Sequence, residues 1–327
     1  MVQSCAFSMS NINFVNVSTI SGAPTDANGS MSVNCTGYAT PMIRLCLNFG
    51  NPAGSAATSR TLAGPSGNTL SSNLFKDATH RTVWGSTATP AYPVNVVDLP
   101  VVGGNASTTL TIYGRVFANQ IAAVTGSYSL TMGTGDTLLA YAGYSGTAPS
   151  CSSLTTLLSR VTFTLTAQVV ADCNISAAPL AFPITSFLNN PLQATSTVQV
   201  TCVSGVPYAV SLNGSTTPGG SVLMRKLARN GGAATVNYQL YKDAARTQPW
   251  GDGTSGTTTN AGTGNGSSTT FTVYGQVPEQ SSQPAGQYLG HRHCDRELLS
   301  GAPPAAQSRT QSTKYSTRPL IISPTSP

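Results

Sequence analysis

The feature that most constrains this 327-residue chain is an internal repeat. Residues 74–85, LFKDATHRTVWG, match residues 240–251, LYKDAARTQPWG, and residues 110–116, LTIYGRV, match residues 271–277, FTVYGQV. The matching residues lie 160 to 168 positions apart. A period of that length is a whole domain, so the chain is predicted to be a tandem duplication of one folding unit rather than a solenoid of short repeats.

Both copies have the pattern of a β-protein. Residues 161–169, VTFTLTAQV, and 271–274, FTVY, alternate apolar and polar side chains, and clusters of Gly, Asn, Pro and Ser separate such runs. Short alternating runs with turn signals between them predict β-sandwiches. Only 8% of the residues are charged, so the helix formers Glu and Lys are scarce, which agrees with an all-β chain.

Four of the seven cysteines fit the duplication, and two more could form a pair of their own. One pair lies 30 residues apart in the first copy, and another lies 29 apart at the equivalent places of the second. The two cysteines left over in the first copy could pair with each other. Six paired cysteines indicate an oxidising compartment. The predicted bridges are Cys5–Cys35, Cys173–Cys202 and Cys46–Cys151.

The sequence leaves the role of residues 161–169 open. This alternating run lies between the copies, so it could begin the second domain or complete the first as a built-in strand. We place the predicted boundaries at residues 1–158 for the first domain, 159–289 for the second and 290–327 for a tail.

The repeat breaks at residue 290, where GHRHCDREL begins. His291, His293 and Cys294 invite a metal site, but such a site needs a fourth ligand and a folded frame. One permissible coding string for residues 290–298, read one base later, translates as DTVTVTVSY, an alternating strand that a stop codon can follow. Beyond it the sequence has no period, carries a net charge of +3 and is typical of disorder. We therefore predict a disordered tail produced by a frameshift or sequencing slip, no metal or cofactor, and a second domain that lacks its last strand.

Several motifs of the second copy resemble the spore coat protein U domain family. They are VTC ending at Cys202, PYAVSL from Pro207, YQLYKDAARTQPWG from Tyr238 and TVYGQVP from Thr272. The likeness is specific over residues 173–288 and looser over residues 5–144. The family includes pilins of archaic chaperone–usher pili, and two such domains in one chain resemble a tip adhesin rather than a one-domain shaft subunit.

The resemblance implies two tandem immunoglobulin-like sandwiches, of which the second awaits a strand donated by the next pilin subunit. It also implies a periplasmic chaperone and an outer-membrane usher as partners, and passage through the periplasm to the cell surface at the pilus tip. Only four residues precede Cys5, so we expect no arm to donate, which agrees with a tip position. The opening MVQSCAF lacks the pattern of a signal peptide, which is expected to have been trimmed or to lie outside the sequence.

A tip adhesin needs a surface that contacts an abiotic or host surface. Residues 89–103 and 138–146 are rich in apolar side chains, whereas residues 252–265 of the second copy are mostly Gly, Thr and Ser. These segments are either exposed apolar loops or strands packed in the core of the first domain, and the sequence does not decide. The candidate surface-binding residues are Tyr92, Val94, Val96, Val97, Leu99, Val101, Leu138, Tyr141 and Tyr144.

Catalysis and nucleic-acid binding are not expected. No Ser/His/Asp set recurs in both copies, and His80 is predicted to be a polar surface residue. The net charge of +6 forms no basic stripe, so nucleic acid is not an expected partner.

The sequence favours a pilus tip subunit that takes part in biofilm attachment. The alternative is a secreted or coat structural protein of the same family that is assembled without an usher.

Overall fold

The structure, a computed structural model, describes residues 2–56, 58–89, 91–298, 311–316 and 320–322, and from residue 291 onward it describes the backbone alone. It divides into two compact units, unit 1 (Met1–Val170) and unit 2 (Ala171–Pro327). The regular structure is β-strand apart from the 3-10 turns Pro65–Gly67 and Cys151–Ser153, which confirms the all-β prediction. Within the described ranges, no helix is long and apolar enough to cross a membrane.

Unit 1 is built from a large sheet and a four-stranded sheet. The large sheet has the order β1-β3-β8-β6-β5-β9-β12-β2, and the smaller one has the order β11-β10-β4-β7. The strands are β1 Ser4–Met9, β2 Ile12–Val17, β3 Thr25–Thr36, β4 Met42–Phe49, β5 Arg60–Ala63, β6 Thr69–Phe75, β7 Asn95–Pro100, β8 Asn105–Val116, β9 Gly126–Met132, β10 Thr137–Tyr144, β11 Leu158–Ser159 and β12 Phe163–Val169.

Unit 2 repeats this plan. Its large sheet has the order β13-β14-β19-β17-β16-β20-β23, and its four-stranded sheet has the order β18-β15-β21-β22. The strands are β13 Cys173–Ala177, β14 Leu192–Cys202, β15 Pro207–Leu212, β16 Arg225–Arg229, β17 Thr235–Tyr241, β18 Asn260–Thr263, β19 Ser268–Val277, β20 Gly286–Leu289, β21 His291–Leu298, β22 Gln311–Ser316 and β23 Leu320–Ile322.

The core of each unit lies between its two sheets and is centred on a tryptophan. Trp84 and Trp250 are 1% and 0% exposed, and each indole N–H donates a hydrogen bond to a carbonyl of the smaller sheet, that of Leu47 and Val210 respectively. A buried indole needs such an acceptor because an unpaired N–H would be costly there. The repeated Trp-Gly motif of the sequence therefore marks the same core position in both units.

The disulfides hold the first strand of each unit. Cys5 pairs with Cys35 and Cys173 with Cys202, and in both cases the two residues lie directly opposite each other on neighbouring antiparallel strands. The third bridge, Cys46–Cys151, ties β4 to the turn at residues 151–153 and has no counterpart in the described part of unit 2.

A tyrosine marks the corner of each sandwich. The hydroxyl of Tyr128 in β9 donates to the carbonyl of Val124, and that of Tyr288 in β20 donates to the carbonyl of Pro284, four residues upstream in both units. Immunoglobulin-like sandwiches have such a tyrosine corner near the start of strand F. The duplicated corner supports an immunoglobulin-like fold and identifies β9 and β20 as equivalent strands.

Candidate strand-acceptor site and candidate contact face

Strand β12 completes unit 1 from within the chain. It pairs antiparallel with β9 over seven residues and runs parallel to β2 on its other side. Phe163, Leu165, Ala167 and Val169 are buried, as the alternation in the sequence predicts for one face. Residues 159–170, which the predicted boundary assigned to the second domain, therefore belong to unit 1, because their apolar face is covered there.

The equivalent place in unit 2 is beside β20, and we call it the acceptor slot. Gly286 and Tyr288 of β20 match Gly126 and Tyr128 of β9 in the repeat. In the described part of the chain, the strand beside β20 at this edge is the three-residue β23, whereas β9 is covered by the seven-residue β12. Within the residues that the structure describes, the in-chain strand at this edge is therefore shorter in unit 2 than in unit 1.

In unit 1, β12 lies between β9 and β2, so the acceptor slot of unit 2 should have one side at β20 and the other at the equivalent of β2. The contacts of two glycines identify the residues on that other side. A methyl group added to Gly114 in unit 1 would meet Ile12 and Phe14 of β2, and one added to Gly275 in unit 2 would meet Leu180 and Phe182. Leu180 and Phe182 thus stand where β2 stands in unit 1, yet the described structure has no named strand at residues 180–182.

Two apolar side chains next to this wall are exposed. Ile184 is 64% exposed and Phe187 is 52% exposed, whereas Leu188 is fully buried. An open sheet edge flanked by exposed apolar side chains is prone to pair with another strand, by assembly or by aggregation. The geometry of the slot thus suits an extended strand with an alternating apolar face.

Residues 291–298, HRHCDREL, form β21, which pairs with β15, although the sequence predicts disorder from residue 290. The reason is the backbone: the edge of β15 offers hydrogen-bonding groups that any sequence can pair with. Backbone strands also occur at Gln311–Ser316 and Leu320–Ile322, while residues 299–310, 317–319 and 323–327 lie outside the described ranges.

The backbone register of β21 can be compared with that of β10 in unit 1. Leu47 and Val210 are equivalent because each accepts the tryptophan N–H of its unit. Leu139 of β10, which is fully buried, pairs with Leu47, and Arg296 pairs with Val210. Directly opposed residues of antiparallel strands belong to the same face of the sheet. By backbone register, position 296 of β21 therefore corresponds to position 139 of β10.

Six of the nine candidate surface-binding residues lie in strands, and the other three lie in the segments that flank β7. Val96, Val97 and Leu99 are in β7, at the edge of the smaller sheet, and Leu138, Tyr141 and Tyr144 are in β10. Tyr92 and Val94 precede β7, Val101 follows it, and all three are partly buried. Residues 95–100 and 137–144 are thus strands, whereas residues 91–94 form a connecting segment, so neither interpretation describes both segments completely.

Alternation divides these strand residues between two faces. Val97 and Leu99 pair with the buried Leu45 and Ile43, and Tyr141 is itself 5% exposed. Val96, by contrast, pairs with Cys46 and is 44% exposed. The outer face of the smaller sheet, which we call the contact face, includes Val96, Leu138, Tyr144 and the 42% exposed Leu158.

The contact face is braced by an ion pair and a disulfide. The Arg44 guanidinium donates two hydrogen bonds to the Asp98 carboxylate, at 2.8 and 2.6 Å, and one to the carbonyl of Pro149 at 3.0 Å. These hydrogen bonds hold the pKa of Asp98 below its usual range. The Cys46–Cys151 bridge attaches the turn at residues 151–153 to the same sheet.

Sequence reasoning missed a buried arginine at the centre of each unit. Arg60 and Arg225 are 1% and 0% exposed. Arg60 donates to the carbonyls of Phe49 and Trp84 and to the amide oxygen of Asn73. Burial lowers the pKa of both guanidinium groups to about 10, so both are charged at neutral pH.

Arg225 repeats this arrangement in unit 2. It donates to the carbonyls of Leu212 and Trp250 and to the amide oxygen of Gln239. The residues before the two arginines differ, but residues 60–63, RTLA, match residues 225–228, RKLA, at the offset of the repeat, and this match could have found them. Each arginine joins β4 or β15 to the tryptophan segment and so fixes one sheet against the other.

His80 is buried, which corrects the prediction of a surface residue. Its side chain is 5% exposed, it packs edge-on against the rings of Phe75 and Tyr113, and it lies 3.7 Å from the Asp26 carboxylate. The turn explains this, because His80 adopts a positive φ of 55°, as does Arg246 at the same place in unit 2 with 58°. Both turns fold their side chains back over the large sheet.

No group of three His, Cys, Asp or Glu side chains placed to hold a metal ion occurs among the side chains that the structure describes. The side chains of His291, His293 and Cys294 lie outside that set.

Comparison with known proteins identifies the family. The family model of the Spore Coat Protein U domain matches residues 1–134 and 159–291. The two matches span most of the chain, and the chain therefore belongs to the Spore Coat Protein U domain family. A search of the curated proteins gave no match.

Solved structures with a similar fold include pilus proteins. One is the chaperone–tip adhesion subunit pre-assembly complex CsuC–CsuE of archaic chaperone–usher Csu pili from Acinetobacter baumannii, with 15% identity, 94% of this chain and 100% of that chain covered, and a TM-score of 0.49. Another is the CupB6 tip adhesin from Pseudomonas aeruginosa, with 12% identity, coverage of 95% and 98%, and a TM-score of 0.35.

A third is the CssB subunit complemented with a donor strand from CssA of enterotoxigenic Escherichia coli, with 18% identity, coverage of 46% and 97%, and a TM-score of 0.31. Identities and TM-scores at this level are too low to support a conclusion about the fold or the function of this chain.

Proposed function

We propose that this protein is a pilus tip subunit that attaches cells to surfaces and supports biofilm formation. The observation that carries the proposal is the difference between the two units. Unit 1 fills the edge beside β9 with its own seven-residue β12, whereas unit 2 has a shorter strand at the same edge. On this proposal unit 2 accepts a donated strand and unit 1 accepts none, which suits a two-domain subunit at the end of a fibre.

The open edge of unit 2 accounts for the proposed assembly partners. An unfilled sandwich edge exposes apolar side chains and unpaired amides, so it needs a periplasmic chaperone until a permanent strand arrives. The next pilin subunit supplies that strand by β-augmentation, and an outer-membrane usher is the site of the exchange. On this proposal the protein passes through the periplasm to the cell surface, it is not an enzyme, and it needs no cofactor or nucleic acid.

Attachment is assigned to the contact face of unit 1. Val96, Leu138 and Leu158 present apolar area on the outer side of a sheet that the Cys46–Cys151 bridge and the Arg44–Asp98 pair hold rigid. Apolar area gains about 25 cal/mol per Å² when it leaves water, which suits plastic, wax-like or lipid-like surfaces.

The test compares neighbouring valines on opposite faces of β7. Val96→Ser combined with Leu138→Ser should reduce adsorption of the purified protein to polystyrene by about tenfold, because two apolar side chains lose contact with the surface. Thermal unfolding of this variant should stay close to that of the parent. Val97→Ser, the control, should lower the unfolding temperature of unit 1. Unchanged adsorption by the first variant would remove the contact face from the proposal.

The second candidate is a secreted or coat structural protein of the same family that needs no usher. The two candidates differ in their partners. Genes for a chaperone and an usher beside this one, and co-purification of that chaperone with the chain from the periplasm, favour the pilus. Their absence favours the coat protein.

A further inference from the structure

The C-terminal strand of the chain lies in the acceptor slot in the same register as β12. Gly286 pairs with Ile322 and Tyr288 with Leu320. In unit 1, the matching Gly126 pairs with Val169 and the matching Tyr128 with Ala167. Both strands are antiparallel to their neighbours. The backbone of β23 therefore occupies the place that the C-terminal half of β12 occupies in unit 1.

We propose that β23 is a cis-acting cap, a segment of this chain that closes its own acceptor slot and leaves when a partner's strand enters. The inference deepens the proposed function and rests on it, since a cap has a role only where a strand is to be received. It concerns the chain with the C-terminal sequence printed here.

The cap is weaker than the strand it imitates. It pairs with β20 over three residues, whereas β12 pairs with β9 over seven. Short strands gain few ladder hydrogen bonds and are marginal alone. The buried side chains in the first half of β12 are Phe163 and Leu165. The residues Leu320–Ile322 match only the last part of β12 and include no counterpart of these two. A longer alternating strand that covers the whole edge would therefore displace the cap.

The cap should lower the apparent affinity of unit 2 for an incoming strand. A ligand that binds only the open form is weakened by the fraction of molecules that are open. If nine in ten molecules are capped, the apparent dissociation constant rises about tenfold. Removal of the cap should restore the intrinsic affinity without any change in the slot itself.

The chain supplies its own probe, a fluorescently labelled peptide with the sequence of residues 161–170, VTFTLTAQVV. It carries the strand that fills the equivalent edge of unit 1. The variant is Ile321→Pro with Ile322→Pro, because proline donates no hydrogen bond and one of two consecutive residues must face β20. Deletion of residues 317–327 is a second variant, and Thr147→Pro, at an exposed position of unit 1, is the control.

Fluorescence anisotropy should give a dissociation constant about tenfold lower for both cap variants than for the parent and the control. A scrambled peptide should bind none of them. Equal binding by parent and variants would overturn the cap and leave the acceptor slot standing. If near-ultraviolet circular dichroism shows folded variants and the peptide binds none of them, the acceptor slot itself fails, and the cap and the proposed assembly fail with it.

Discussion

Single buried residues hold the same positions in both units even where the sequence has changed around them. Arg60 and Arg225 each place a charged guanidinium among carbonyl oxygens. A buried charge is tolerated only when its hydrogen bonds are made, so these side chains fix the geometry around them. They are the residues at which the fold is least able to accept substitution.

We expect Arg225→Met to destabilise unit 2 by roughly 3 kcal/mol or more. Methionine fills the space but donates nothing, and each buried acceptor left unpaired costs about 1–3 kcal/mol. The matched control is Lys226→Met, the next residue of β16, which is only half-buried and should change stability by less than about 0.5 kcal/mol. Urea unfolding followed by tryptophan fluorescence measures both. Equal midpoints for the two variants would show that the buried hydrogen bonds contribute little.

Residues were predictable from the sequence where the repeat kept their identity. Trp84 and Trp250, and the cysteines of the first strands, could be placed in the core because both copies carry them at matching positions. Arg60 was missed although the repeat keeps it as Arg225, since a charged residue in a polar segment ordinarily lies at the surface. His80 was misplaced for the same reason, because composition does not reveal that the turn folds its ring inward.

At the scale of strands, periodicity predicted the faces but not the neighbours. The alternation of residues 161–169 fixed which side chains of β12 are buried, yet only the pairing with β9 and β2 decides that the strand belongs to unit 1. In β7 and β10 the apolar content suggested loops as well as strands. Their alternate positions serve the core and the outer face, which composition alone does not distinguish.

Strand β21 is the element in which sequence and fold disagree. Position 296 corresponds to the buried Leu139, and positions 292, 294 and 298 belong to the same alternating set. The shifted translation DTVTVTVSY places valine at 292, 294 and 296. The core face of the strand is therefore recovered in the shifted frame, which supports the proposal that the tail results from a frameshift or sequencing slip.

We expect the combined substitution Arg292→Val, Cys294→Val and Arg296→Val to stabilise unit 2 by several kcal/mol, at about 1.5 kcal/mol or more for each valine buried. The control changes the other face of the same strand, with His291→Val, His293→Val and Asp295→Val, and should give no comparable gain. Thermal unfolding measures the difference. A gain of equal size from both sets would contradict the assignment of the core face, and the coding DNA across residues 288–300 tests the frame directly.

At the scale of the whole molecule, duplication followed by divergence produced one unit that is complete within the chain and one that is not. Both proposals about the tail act on unit 2: out-of-frame residues weaken β21, and the residues that follow close the acceptor slot. A one-base repair with the stop codon that follows would restore the strand and remove the cap together. The printed chain is therefore expected to stay out of pili, and the repaired chain is expected to join them.

Immunogold electron microscopy tests the central claim most directly. Antibodies against unit 1 are applied to cells that express the repaired chain with its chaperone, usher and shaft pilin. The account predicts one label at the free end of each pilus, because unit 1 fills its own edge with β12 and accepts no further strand. Labels spaced along the shaft would contradict it, since they would show that both units of the chain are linked to neighbouring subunits.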